Sequence, residues 1–568
     1  MKDSKSKDMR KDKAAENLPV EAPPAEAVSG EPLAGEPGEG PFPMRTILGI
    51  LLGFLAGLFF FHAAYPDPTI ELPSVAVPPD PLPALQGLAP RRKPGEIRIF
   101  VAGASMTAGY PYQPLGSASY ATQLEKGLRA CLPGREIHVR PSAKPALDSP
   151  QLLRMVKRLV AMDPSLIIVT LGSNEYANRL FSGQRLVPRG LVPKIAGSFS
   201  LGRRFWFAET RSLQQRGGGA ATEDALNALI NKVLEAAPGK PALEGLPFDP
   251  AERRFLLKRL RTSMREIDRL CRRRSVPLLF CVAVYGIDGS WPWGLSEGVD
   301  PKGRQVIDGL VLRFRRGLRS PSFEAELAKA LQRFPKAAVL HYLSGQVAKE
   351  KGDLKTARKA LELARDLDTV PMHLTGPIQR TILDQARSLG RPVLVLDDAF
   401  AASEKDGLPG PAHYLDYGHL DAEGHGALAR FLASELTARS LLPPLPKDWP
   451  RPFVAATARW LDQSLDPVKR LQAPTNMAWA DGNFALLFGN FREGFAYLKR
   501  AFAGNPDNPE FALRLLFCAG ALGKRLEAWS KGGEKAKRER FLDLYRQMRE
   551  ARSAGKLDAF LFEIAGMR

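Results

Sequence analysis

At 568 residues the chain is too long for one hydrophobic core, and about three or four units are expected. Its 44% hydrophobic and 25% charged residues are ordinary for globular domains, which excludes a chain disordered throughout. The net charge of +20 is not accompanied by a nucleic-acid-binding motif, so no nucleic-acid partner is expected. The basic clusters at 91–93, 271–275, 313–319 and 535–540 read as solvated faces, with anionic lipid or acidic glycan as the alternative.

Residues 1–43 are rich in Lys, Pro, Ala, Glu and Gly without apolar periodicity, and read as a disordered tail. "TILGILLGFLAGLFFFHAA" follows, 19 residues from Thr46 to Ala64 without Asp, Glu, Lys or Arg. As a helix it would be roughly 28 Å long, enough for a bilayer core. The long preceding tail argues against a cleaved signal peptide, so 44–65 is expected to be a transmembrane anchor contacting the membrane through residues 46–64. Six basic residues among the first thirteen, with Arg45, precede the apolar run, and none follows before Arg91. The positive-inside rule then keeps the tail in the cytoplasm and puts the remainder outside the cytoplasmic (inner) membrane. Nine prolines at 66–95 read as an extended spacer.

Beyond residue 95, β-rich runs at 97–103, 136–142, 166–172, 276–284 and 392–397 alternate with helical patterns at 119–132, 149–162 and 249–273. Near-continuous apolar strands between helices predict an α/β fold, a parallel sheet covered on both faces. Ligand sites in such folds gather at the C-terminal strand ends. The first run ends in Gly103-Ala104-Ser105, and the third in Gly172-Ser173-Asn174. After the fifth comes "YLDYGHLDAEGHGALARFLASEL", with Asp416 and His419 three apart before a helix starting near Glu423. A serine hydroxyl becomes a nucleophile when a base takes its proton; histidine is the usual base, and an acid holds its ring. Asp421 is better placed than Asp416 to cap the helix, and His419 is preferred to His413 and His425.

These blocks resemble the GDSL/SGNH hydrolases, and more closely a bacterial, membrane-anchored subset carrying tetratricopeptide repeats. The resemblance rests on Ser105 with "GYPY" at 109–112, Gly172 to Asn174 with "NEY" at 174–176, and Asp416 through His425, over roughly residues 95–440. It implies a flavodoxin-like three-layer sheet, a nucleophilic Ser105, a base His419 and an orienting Asp416. It also implies an oxyanion site from Ser105, Ala146, Gly172 and Asn174. Two positions depart from the family pattern: Ala104 stands for its Asp, and Ala146 for the glycine of its second block. The implied activity is ester cleavage through an acyl-enzyme, without metal or cofactor, on an ester-bearing substrate such as an acylated glycan. Acyl transfer to a cell-envelope glycan and a catalytically impaired scaffold are the alternatives.

"LHYLSGQVAKEKGDLKTARKALELARDLD" at 340–368 places Gly345, Gly352, Ala357 and Ala364 at the spacing of Gly482, Gly489, Gly494 and Ala501 in 476–508. Both resemble tetratricopeptide repeats, in which small residues let paired helices approach closely. They would offer a concave face to a protein partner or cap the hydrolase. The expected organisation is a sheet domain at 96–320 and 371–442, repeats at 321–370, and a helical region at 443–568. Residues 177–248 form a long insertion, a lid or a surface excursion. The four cysteines form no CxxC and no cluster with histidine, which disfavours zinc; export permits a disulfide without assigning a pair, and Cys131 and Cys281 read as core residues.

Overall fold

The computed structural model describes residues 85–112, 114–177, 250–294, 299–401, 404, 406–487, 491–523 and 534–566. The expected tail, the anchor, the spacer up to residue 84 and, but for Ala177, the 177–248 insertion lie outside them. Among the described residues no helix is long and apolar enough to cross a membrane.

Five strands, β1 (Ile97–Gly103), β2 (Ile137–Ala143), β3 (Leu166–Leu171), β4 (Leu278–Val282) and β5 (Val393–Val395), pair in parallel in the order β2-β1-β3-β4-β5. This is a doubly wound order, with its switch point between β1 and β3. α1 (Tyr120–Cys131) follows β1, α2 (Ser149–Leu159) follows β2, and α3 (Pro250–Arg273) precedes β4. Between β4 and β5 lie α4 (Pro301–Arg315), α5 (Pro321–Arg333), α6 (Ala338–Glu350), α7 (Leu354–Leu367) and α8 (Gly376–Ser388). α9 (Asp398–Ala401) and α10 (Ala422–Ala438) follow β5. The C-terminal region is α11 (Pro450–Ser464), α12 (Pro467–Leu487), α13 (Phe491–Gly504), α14 (Pro509–Leu522), α15 (Glu534–Ser553) and α16 (Leu557–Ile564).

Strand alternation divides the core into two layers. Phe100, Ala102, Ile167, Val169, Phe280 and Val282 pack with Leu152 and Val156 of α2, Leu256 and Leu260 of α3, and Ile378 and Ile382 of α8. Ile99, Val101, Ile168, Leu279 and Cys281 face Leu124 and Leu128 of α1 and Leu428 and Leu432 of α10. Both faces of the central strands are therefore dry, which explains their unbroken apolar sequence. The exceptions are Thr170 of β3, whose hydroxyl lies 2.9 Å from Tyr120 OH, and Arg98, buried in β1. It bonds Glu96 at 2.7 Å and the carbonyls of Ala89 and Met162, each at 2.7 Å, so its charge is compensated. All four cysteines are buried and unpaired.

The two helical hairpins share one packing device. A Cβ on Gly345 would meet Leu361 Cγ at 2.7 Å, and one on Gly482 would meet Leu498 Cγ at 2.7 Å. Gly345 and Gly482, at equivalent places in the two patterns, are thus where paired helices cross. Tyr342, Ala348, Ala357, Leu361 and Ala364 of α6 and α7 join the core of the sheet domain, which covers their apolar face. Ile307, Leu310 and Val311 of α4 pack with Phe323 and Leu327 of α5, so the inserted helical body begins at α4. Arg315 of α4 pairs with Glu493 of α13, joining that body to the C-terminal hairpin.

α11 seats Phe453 against α1, where a Cβ on Gly127 would come within 2.2 Å of the phenyl ring. Alanine there gains about 1 kcal/mol in helix propensity, but overpacking costs roughly 1–3 kcal/mol. Gly127→Ala is expected to lower the unfolding midpoint in denaturant, and to raise it in a Phe453→Ala background. The same sign in both backgrounds would refute this packing account.

Candidate active site

The site forms where the ends of β1 and β3 meet the loop before α10. Gly103 pairs with Ala143 at the last register position of β1 and β2. A Cβ on Gly103 would lie 2.0 Å from Thr107 Oγ1, so only glycine permits the tight turn that follows. Ala108 N–H donates to Ala104 O at 2.9 Å and Tyr110 N–H to Ser105 O at 3.0 Å, which fixes Ser105 in a helical turn. Ala104 is buried in the apolar layer with Leu147 and Tyr176. The position where the family resemblance has Asp is therefore a core position in this chain.

Ser105 Oγ lies 2.8 Å from His419 Nε2, and His419 Nδ1 lies 2.6 Å from Asp416 Oδ2. A carboxylate beside Nδ1 places the ring proton there, so Nε2 presents its lone pair to the serine hydroxyl. Asp416 Oδ1 also accepts the backbone N–H groups of Gly418 and His419, each at 2.7 Å. Leu415 N–H donates to His419 O at 2.8 Å, closing the loop on itself. Tyr110 and Tyr417 meet the imidazole edge-on at 5.3 and 6.1 Å between centroids. Asp421 caps α10, accepting from Gly424 N–H at 2.5 Å, and is thus engaged elsewhere. His413 faces Asp421 at 3.8 Å, and His425 is buried in α10, stacked on Tyr120. Burial holds the His425 imidazole far below its ordinary range, at about 3, so it stays neutral.

The other expected residues stand at neighbouring strand ends. Asn174 Nδ2 donates to Leu147 O at 3.1 Å, and its second amide hydrogen is a further donor. Ala146 adopts φ +63°, the left-handed region normally left to glycine. Gly172, with φ +105°, is packed beneath α8: a Cβ would meet Leu374 Cδ1 at 2.7 Å and Ile378 Cγ2 at 3.2 Å. Packing thus accounts for that glycine.

A buried network not evident from motif spacing ties these loops together. Arg259 of α3 reaches Asp148 Oδ2 at 2.8 Å and Glu175 Oε2 at 3.9 Å. Glu175 accepts from Ser149 N–H at 3.0 Å and Ser149 Oγ–H at 2.9 Å. One guanidinium cannot neutralise two carboxylates. Burial first, and then Asp148, push Glu175 up to about 7. The available signal was Arg259 lying within the apolar stripe of α3 with Leu256, Leu260 and Met264. The C-terminal hairpin approaches from the other side: burial and the Asp416 charge hold Asp481 of α12 well above the usual carboxylate range. Tyr497 of α13 stacks on Trp293 at 6.0 Å, and Trp293 meets Tyr417 edge-on at 6.1 Å.

In comparison with known proteins, the chain matches no family model, and no curated protein is significantly similar to it. Among the described residues no group of His, Cys, Asp and Glu is arranged to hold a metal ion.

Left-handed alanine is strained by about 1–2 kcal/mol, so Ala146→Gly is expected to stabilise the fold by up to about 1 kcal/mol. A lower denaturation midpoint would contradict the strain. Glu175 has a folded pKa raised above its ordinary 4.5 to about 7. Its stabilising contribution is complete below about 4.5 and is lost as pH rises through about 7. Glu175→Gln should therefore gain in melting temperature over the wild type between pH 4.5 and 7; parallel curves would contradict the assignment.

Proposed function

We propose that the chain is a serine ester hydrolase acting through an acyl-enzyme on Ser105. The supporting observation is the continuous Ser105–His419–Asp416 hydrogen-bonded chain, 2.8 Å then 2.6 Å, at the mouth of the sheet. Ser105 Oγ attacks the acyl carbon as its proton passes to His419 Nε2. Asp416 stabilises the resulting imidazolium and holds its orientation. The oxyanion is met by the Ser105 N–H and the free hydrogen of the Asn174 amide. Ala146, the further donor implied by the resemblance, holds the backbone shape that glycine would take. The tetrahedral intermediate collapses as His419 Nε2 returns its proton to the leaving alkoxide, which departs as the alcohol. Water deprotonated by His419 then attacks the acyl-enzyme, releasing the acid and restoring Ser105.

The ester-bearing substrate class, an acylated glycan among its members, comes from the family resemblance. Placement on the outer side of a membrane, anchored through residues 46–64, comes from the uncharged apolar run and the basic residues that precede it. The inserted hairpin acts as a cap, because the sheet domain takes up its apolar face.

A fluorophosphonate should label the wild type and not Ser105→Ala. Turnover of p-nitrophenyl acetate should fall by at least about a thousandfold in Ser105→Ala or His419→Ala. Equal turnover in wild type and Ser105→Ala would exclude Ser105 as nucleophile. Product recovered on an added oligosaccharide in preference to water would assign acyl transfer to the same intermediate.

A further inference from the structure

We propose that Arg259 is a positioning residue for the oxyanion site, acting through Asp148 and Leu147 on the Asn174 side chain. This rests on the hydrolase reading above. The Asn174 amide has two hydrogens, and Leu147 O takes one at 3.1 Å. The direction of the other is then set by where that carbonyl stands. Leu147 lies between Ala146, in the left-handed conformation at φ +63°, and Asp148, the N-cap of α2.

Asp148 has its two oxygens divided between two tasks. Oδ1 accepts from Gln151 N–H at 3.4 Å to cap α2, and Oδ2 meets Arg259 Nη2 at 2.8 Å. The backbone N–H of Asp148 donates to Gln151 Oε1 at 2.9 Å, so backbone and side chain are both fixed. Glu175, the residue after Asn174, is 3.9 Å from the same guanidinium nitrogen and bonds both Ser149 donors. Arg259 therefore stands between the residue after Leu147 and the residue after Asn174. It joins the β2–α2 loop to the β3 end from beneath.

The side chains of Arg259 and Asp148 are each only 2% exposed, so the pair is held in a low-dielectric interior. A strained turn persists where its surroundings over-determine it, and this network surrounds Ala146–Leu147. A small misplacement of a reacting or stabilising group can cost about a hundredfold in rate. The loss expected from a relaxed Asn174 is smaller, because the residue itself remains.

The test is a double-mutant cycle on the full chain, with p-nitrophenyl acetate as substrate. Arg259→Met should lower kcat about tenfold and leave KM within about twofold, since only a transition-state interaction is disturbed. On an Asn174→Ala background the same substitution should lower kcat by less than about threefold, because the group it orients is already gone. Should Arg259→Met fail to fold, Asp148→Asn carries the same cycle. It keeps the α2 cap through Oδ1 and turns the acceptor opposite Arg259 into an amide donor, which breaks the pair. Wild-type kcat in the folded variant, or an equal tenfold loss on both backgrounds, would overturn the proposal. Wild-type turnover that does not depend on Ser105 would instead overturn the hydrolase reading, and the positioning role with it.

Discussion

The 2.8 Å contact between Ser105 and His419 is the constraint around which the rest of the structure is arranged. Its partners lie far apart in sequence, one after the interior strand β1 and the other in the loop before α10. For them to meet, the end of β1 and the loop before α10 must both be rigid. Gly103 allows the β1 turn by lacking a side chain against Thr107. Asp416 fixes the other loop by accepting two backbone N–H groups and the imidazole together. Tyr112 OH accepts from Ala422 N–H at 3.0 Å, so the "GYPY" turn is also bonded to the start of α10. The contact between base and nucleophile is therefore a consequence of two pinned turns.

The sheet was legible because its central strands are buried on both faces and read as largely apolar runs. The observed β1 and β3 coincide with the expected runs to within a residue. Ser105, Asp416 and His419 were legible because each follows a strand end or precedes a helix start, where small and polar residues interrupt the apolar pattern. Arg259 was not singled out among the many arginines of α3, although it alone of them falls within the stripe of Leu256, Leu260 and Met264, because its carboxylate partners come from distant loops. The left-handed conformation of Ala146 is set by tertiary contacts, and an alanine in the sequence argues against it. The expected boundary at residue 320 leaves residues 301–315, α4, with the sheet domain. The core partners of α4 turn out to be α5 and α6. The anchor, the tail and most of the insertion lie outside the described residues.

Two kinds of buried charge surround the site. Arg259 with Asp148 is a compensated pair, and it links the loops that carry Asn174 and Ala146. Glu175 and Asp481 are carboxyls driven toward the neutral form by burial, one on each side of the site. The helical hairpins contribute to the same region: Tyr497 and Asp481 come from the C-terminal pair, and the chain of rings Tyr497–Trp293–Tyr417–His419 connects them to the imidazole.

The central claim is that Ser105 becomes covalently acylated, and the most direct measurement is the mass of the protein after acid quench of its reaction with p-nitrophenyl acetate. The account predicts one added acetyl group, located by peptide mapping on Ser105, and its accumulation in a His419→Ala variant only at a greatly reduced rate. An unmodified Ser105 under turnover conditions, or an acetyl group mapped to another residue, would contradict it.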